Sequence, residues 1–196
     1  MILSRLRETT KPYHDRLEQH LALLETPLTV ERYRRLLQRF YGYYVPLEKA
    51  AVPLAAQLPF LPLDLPRRRK TPLLERDLSA LGVNAGTRAE LPCCRALPSL
   101  KTVPTLFGCL YVLEGATLGG QLITRHLQQT LNIFPENGGS FFASYGPAVG
   151  VMWKEFGSVL MKYAETAPEV QEAILISASA TFQTLHNWMA EESICP

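Results

Sequence analysis

Two segments carry the residue types from which a reactive centre is made. The first reads Arg7-x-x-Thr10-Lys11-x-x-His14-x-x-x-Glu18. On a helix, residues 7, 11, 14 and 18 fall on neighbouring faces. A neutral imidazole facing inward ligates a metal, and a carboxylate one turn away orients its other ring nitrogen. Arg7 and Lys11, one turn apart, suit pairing with carboxylates. A lone histidine on an apolar stripe is more often a hydrogen-bonded core residue, and His20, His126 and His186 are assigned that role. The second segment runs Phe107-Gly108-Cys109-Leu110-Tyr111-Val112-Leu113-Glu114-Gly115-Ala116-Thr117-Leu118-Gly119-Gly120-Gln121. A glycine weakens a helix by up to ~1 kcal/mol relative to alanine, so four of them in one helical pattern need a reason. Residues 108, 115 and 119 lie within about 40° of one another around a helix of 3.6 residues per turn. They bare a strip of backbone that a flat ligand, or equally a second helix, can approach closely. Gly119-Gly120 also gives the helix a place to bend.

The elements that hold these segments are helical. Leu3, Leu6, Thr10, His14, Leu17, Leu21 and Leu24 recur every three or four residues, which predicts one amphipathic first helix. Pro12 is an irregularity inside it and Pro27 ends it. Thr29 suits the N-cap of a second helix that buries Tyr33, Leu36, Leu37, Phe40, Tyr44 and Leu47, with Pro46 kinking it. Pro59 to Pro72, with Arg67-Arg68-Arg69-Lys70, reads as a surface loop. A short helix over Pro72–Leu81 stops at Gly82, and Gly86 to Pro98 is irregular. Helices follow over roughly 103–130, 148–166 and 168–191, with a Gly, Asn and Pro-rich loop at 132–147. No alternating strand pattern and no internal repeat occurs. The expectation is one all-α domain over residues 1–196.

Composition narrows the class. The 196 residues are 47% hydrophobic and 19% charged, a globular balance. A net charge of +2 is too even for a generic nucleic-acid binder. The charge is uneven along the chain: residues 1–70 carry 13 basic and 7 acidic side chains, and the remainder carry 7 and 11. That gradient makes either a basic face for an anionic partner or a plain solvated surface. No apolar run reaches the ~18–20 residues that span a bilayer, and the first residues lack a signal segment. A cytoplasmic chain is expected, with Cys93, Cys94, Cys109 and Cys195 as free thiols and no cysteine-held zinc.

Taken together, Thr10-Lys11-x-x-His14-x-x-x-Glu18 and Tyr111-Val112-Leu113-Glu114-Gly115-x-Thr117-Leu118-Gly119-Gly120-Gln121 resemble heme oxygenase, most of all its bacterial biliverdin-producing members, including those that serve bacteriophytochromes. Phe40-Tyr41-x-x-Tyr44-Val45-x-Leu47-Glu48 matches the second helix of that family. The resemblance follows the family's order along nearly the whole chain. It implies an all-α bundle with heme held between the first helix and a kinked, glycine-rich distal helix. His14 would be the proximal ligand of heme iron, Glu18 the carboxylate beside it, and Arg7 and Lys11 the propionate contacts, with Thr10 in the same binding set. Gly115, Gly119 and Gly120 would lie over the heme face, with Ala116 among them, and Tyr44 and Thr117 would help hold water. Heme b would be both cofactor and substrate, opened to biliverdin with release of CO and iron, with O2 as co-substrate.

Electrons must come from outside, because the chain carries no nucleotide fingerprint and no iron–sulfur cysteine pattern. The implied donor is a ferredoxin or an NADPH-dependent reductase, docking on Arg32, Arg34, Arg35 and Arg39 and on Arg67 to Lys70 of a monomer. Two departures stand out. Ala116 occupies the position where many members place an aspartate that anchors water, and Ser179 the position of a propionate-binding lysine in animal members. Ala116 leaves open a heme-binding carrier or sensor without turnover. A thiaminase-like enzyme of the same architecture would need Cys109 as nucleophile, where a buried core residue is the simpler assignment.

Overall fold

The computed structural model describes residues 1–24, 28–55 and 63–191; Pro27, Pro59 and Cys195 lie outside the described residues. Among the described residues every regular element is helical. In order the α-helices are α1 (Ile2–Leu21), α2 (Val30–Ala55), α3 (Leu65–Arg68), α4 (Thr71–Ala80), α5 (Ala85–Ala89), α6 (Val103–Leu131), α7 (Ser140–Ala143), α8 (Val149–Ala164) and α9 (Pro168–Ala190), with short helical turns of other pitch at Pro135–Gly139 and Gly146–Ala148.

Local chemistry sets these boundaries. Thr29 caps α2 as expected, its Oγ1 accepting from Arg32 N at 3.1 Å. α2 continues through Pro46 and Pro53. Thr102 opens α6 in a capping box with Thr105, and Asn132 closes it in the left-handed conformation. α1 ends at Ala22, which turns left-handed at φ 44°, so Leu24 leaves the apolar stripe and is exposed.

α6 and α9 form the central pair. A Cβ at Gly108 would meet the Ile174 carbonyl at 2.3 Å, so glycine there lets the two backbones meet. Ser177 fixes the contact by donating to Thr105 O at 2.6 Å. α1 also packs on α9, and α8 packs on α6 and α1. The α2–α4 pair covers the remaining side. α6 is long and apolar enough to cross a membrane by length and composition, which the sequence pattern did not anticipate. It serves instead as the core helix, with 56% of its most apolar window packed inside.

The connection from α6 to α8 is built, not loose. Asp77 of α4 accepts from Ser140 N at 2.9 Å and Phe141 N at 2.7 Å, so its carboxylate holds the start of α7. Tyr33 donates to Gly138 O at 2.8 Å from the α2 side. These bonds press Phe141 and Phe142 inward against Phe40, with ring centres 5.0 and 5.9 Å away.

The basic run departs from its expected surface loop. Arg67 and Arg69 are exposed, but Arg68 and Lys70 are 6% and 3% exposed. The physical reason is a buried acceptor: both cations converge on Glu114 of α6. Arg39 is also largely withdrawn, stacked 3.5 Å over the Trp188 ring. The exposed basic surface is therefore smaller than the sequence pattern suggests.

Candidate functional site

A cavity of about 1000 Å³ opens between α1 and α6. That is the upper end of the ~300–1,000 Å³ typical of cofactor sites. Phe182 and Leu185 of α9 form its floor, Phe40 and Tyr44 of α2 with Phe141 and Phe142 form its inner side, and Trp153 of α8 borders it. The residues that the resemblance assigned to the heme site line it: Arg7, Thr10, Lys11, His14 and Glu18 on one wall, Gly115, Ala116, Thr117, Gly119 and Gly120 on the other, with Tyr44 between, whereas Gly108, Cys109 and Ser179 do not.

The α1 wall is wet and locally organised. His14 is about half exposed, its ring edge-on to Phe182 at 5.8 Å. Its Nδ1 lies 3.5 Å from Glu18 Oε2 and 3.7 Å from Asp15 Oδ1. Nε2 is then the nitrogen away from both carboxylates, the arrangement in which a second carboxylate-facing nitrogen orients a metal-binding one. Lys11 bonds Asp15 one turn on, and that bond is the main reason the Asp15 carboxyl sits below its ordinary pKa. Thr10 is committed to its own helix, donating to Leu6 O at 2.7 Å. Tyr111, which the sequence reading left unassigned, approaches Thr10 and Arg7 across the rim; burial raises its phenol pKa.

The α6 wall is bare on its face and charged behind it. A Cβ at Gly119 would meet nothing within 4 Å, and one at Gly115 only the Trp153 ring at 3.8 Å, so both leave open space at the cavity. Gly120 differs. A Cβ there would stand 2.4 Å from Phe142 O, so this glycine serves packing against the α7 backbone. Gly108 does the same against α9, so of the strip expected at 108, 115 and 119 only Gly115 and Gly119 stay open, while Gly108 and Gly120 serve packing. Thr117 donates to Glu114 O at 2.7 Å, which spends its proton inside the helix. Burial, with Glu48 and Glu114 nearby, pushes the Tyr44 phenol well above its ordinary pKa, so it stays a neutral hydroxyl.

Behind this face lies a buried ionic cluster that sequence reasoning missed. Glu114 accepts from Arg68 Nη1 and from the Tyr145 hydroxyl at 2.8 Å. Arg68 also donates to Met152 O at 3.2 Å and pairs with Glu155 at 3.6 Å. Lys70 Nζ stands 3.7 Å from Glu114 Oε1 and 3.7 Å from the centre of the Tyr145 ring. Glu48 of α2 accepts from the Lys70 and Thr71 amides, fixing the start of α4. The available signal was Glu114 itself, a carboxylate within an apolar helix stretch that demands a buried cation.

Cys109 does not supply a nucleophile. It is fully enclosed, and burial pushes its thiol up to about 12, far from the thiolate that reacts.

Comparison with known proteins gives one family throughout. The heme oxygenase family model matches residues 1–191. A curated heme oxygenase of Xanthomonas campestris pv. campestris (strain 8004) is 31% identical over 133 residues, covering 64% of this chain and 70% of that protein. The structure of heme oxygenase from Leptospira interrogans is similar with a TM-score of 0.79 at 18% identity, over 97% of this chain and 99% of that one. Heme oxygenase from Neisseria meningitidis, solved with NO and CO bound, gives 0.75 at 19% identity over 100% and 95%. Heme oxygenase-1 from the cyanobacterium Synechocystis sp. PCC6803, solved in complex with heme, gives 0.70 at 20% identity over 97% and 91%.

Proposed function

The chain belongs to the heme oxygenase family and is a heme-degrading enzyme, and we propose that its heme sits in the cavity between α1 and α6 with His14 Nε2 as the iron ligand. The observation that carries this reading is the pairing of His14 Nδ1 with Glu18 and Asp15 while the facing wall is stripped to backbone at Gly115 and Gly119. The residues present fit the group. A flat apolar macrocycle matches the floor of Phe182 and Leu185, and its carboxylates match Arg7 and Lys11 at the rim.

Bound heme supplies the redox centre and is also the substrate, opened to biliverdin with release of CO and iron at the expense of O2 and external electrons. Glu18 Oε2, 3.5 Å from His14 Nδ1, orients the ring so that Nε2 is presented to the cavity as the ligand. Gly115 and Gly119 let the ring plane approach the α6 backbone. Phe40, Phe141 and Phe142 exclude bulk water from the inner side. The Tyr44 hydroxyl, held neutral by burial, both accepts and donates to water in the cavity. With its proton already committed, Thr117 offers only lone pairs.

The whole chain is one domain in this reading, acting as a monomer on an external electron donor. An acidic donor docks on the exposed part of the basic surface, Arg35 with Arg67 and Arg69, beside the half-buried Arg32 and Arg34. Its on-rate then falls steeply with salt.

Aerobic reduction of the hemin-loaded protein by ascorbate, with catalase present, tests the function. Loss of the Soret band with growth of a biliverdin band and release of CO is the expected result. A persistent reduced, oxygenated heme spectrum without bilin would mark a carrier or sensor instead.

A further inference from the structure

Lys70 is only 3% exposed and lines the cavity, yet its Nζ makes no hydrogen bond to any described residue. At 3.7 Å, Glu114 Oε1 is an ion-pair partner beyond hydrogen-bond distance. Glu114 does not need this cation, because Arg68 and the Tyr145 hydroxyl already occupy its two oxygens. A buried ammonium with three unused protons is costly, and such an orphan in a folded protein calls for an acceptor outside the protein's own groups. The α6 face beside it has no donor to offer: Gly115, Ala116 and Gly119 carry none, and Thr117 has spent its proton. Lys70 and Tyr44 both line the cavity, and both lie in the field of Glu48 and Glu114.

We propose that Lys70 is the charged hydrogen-bond donor of the α6 side of this cavity, its ammonium steadied by Glu114 and the Tyr145 ring and donating to the small ligand or water held over Gly115 and Gly119. The assignment rests on heme lying between the two walls with His14 as its ligand. It gives the donor role to a residue outside the glycine helix, brought in by the bend between α3 and α4. The side chain reaches by rotation of its flexible stem, which the cation–π contact permits because it fixes position without consuming a proton.

The donor is also titratable. The groups facing Lys70 are Glu114 on α6, Arg68 on α3, Glu48 on α2 and Tyr145 ahead of α8, with Glu155 of α8 reaching Arg68. Burial lowers Lys70 to about 8, with Glu114 and Glu48 resisting and Arg68 assisting. Tyr44 and Tyr145 shift upward, so neither changes charge in that range.

Carbon monoxide is the probe, read by the infrared C–O stretch of the heme-loaded, reduced protein in the intact chain, Lys70→Met and Lys70→Gln. A positive charge beside bound CO lowers that stretch. The intact chain should show a low-frequency band below about pH 8 that moves to higher frequency above it. Lys70→Met should show the high-frequency band at every pH, and Lys70→Gln an intermediate band without a pH step. The pH step in the intact chain needs no variant, so a misfolded variant does not remove the test. A band that ignores pH in the intact chain and is unmoved in Lys70→Met overturns the assignment. If His14→Ala leaves the heme spectrum unchanged, the reading of the cavity falls and the Lys70 assignment with it. Normal loss of His14 ligation with an unmoved C–O band overturns Lys70 alone.

Discussion

The two walls of the cavity are built on opposite principles. On α1 the charges are neighbours in sequence: Lys11 with Asp15 and His14 with Glu18, each one turn apart and each open to water. On α6 the face is nearly bare, and its polarity sits behind it in residues gathered from positions 48, 68, 70, 114, 145 and 155. Exposed i,i+4 pairs hold side chains in place at little energetic consequence. The cluster's buried centre, Arg68, Lys70 and Glu114, has strong mutual dependence, because each answers a charge that water cannot reach, and only Glu155 at its edge is open to solvent. The ligand-binding wall can therefore change residue by residue, whereas the facing wall stands or falls as a unit.

The sharpest way to break this contrast is Glu114→Ala. It leaves Lys70 without a carboxylate partner and Arg68 with only Met152 O and Glu155, and losing one partner of a buried pair costs about 3–5 kcal/mol. Urea denaturation should show that loss, while Glu18→Ala should leave the midpoint nearly unchanged because its partner is exposed.

The glycines sharpen it at smaller scale. Gly120→Ala places a methyl 2.4 Å from Phe142 O and should cost about 1–3 kcal/mol by overpacking. Gly119→Ala meets nothing, so thermal melting should show a stable protein, gaining up to ~1 kcal/mol of helix propensity. Its penalty should appear in heme affinity instead. Equal destabilisation of both variants would erase the division between packing and ligand-facing glycines.

A gentler effect comes from pH. Lys70 falls from an ordinary 10.5 to about 8 in the fold, so between those values the unfolded chain binds the extra proton. The Lys70 contribution to stability therefore rises with pH across that window and should vanish in Lys70→Met, while the buried Cys109 thiol, raised from 9.0 to about 12, opposes it above pH 9. Above it the buried tyrosines, whose values are raised, reverse the sign. Denaturation midpoints measured across the window check both.

How much of this was legible in the sequence follows from the same contrast. The α1 wall was readable because its contacts repeat at helical spacing, and so was the all-α order of elements, down to the Thr29 cap. The glycine segment was readable as a whole, but spacing could not sort Gly108 and Gly120 from Gly115 and Gly119. That sorting depends on Ile174 and Phe142, which lie far away in sequence. The ionic cluster was illegible for the same reason: Arg68 and Lys70 look like a solvated basic run until the fold brings Glu114 to them. Asp77 was likewise silent, since its partners, Ser140 and Phe141, are more than sixty residues on.

The central claim is that α1 supplies the iron ligand to a heme facing the bare α6 wall. Titration of the intact chain and of His14→Ala with hemin, followed at the Soret band, tests it most directly. The intact chain should bind one equivalent with a histidine-ligated spectrum, and His14→Ala should lose that spectrum while its helical circular dichroism is retained. An unchanged, histidine-type spectrum in His14→Ala would contradict the claim and move the ligand elsewhere.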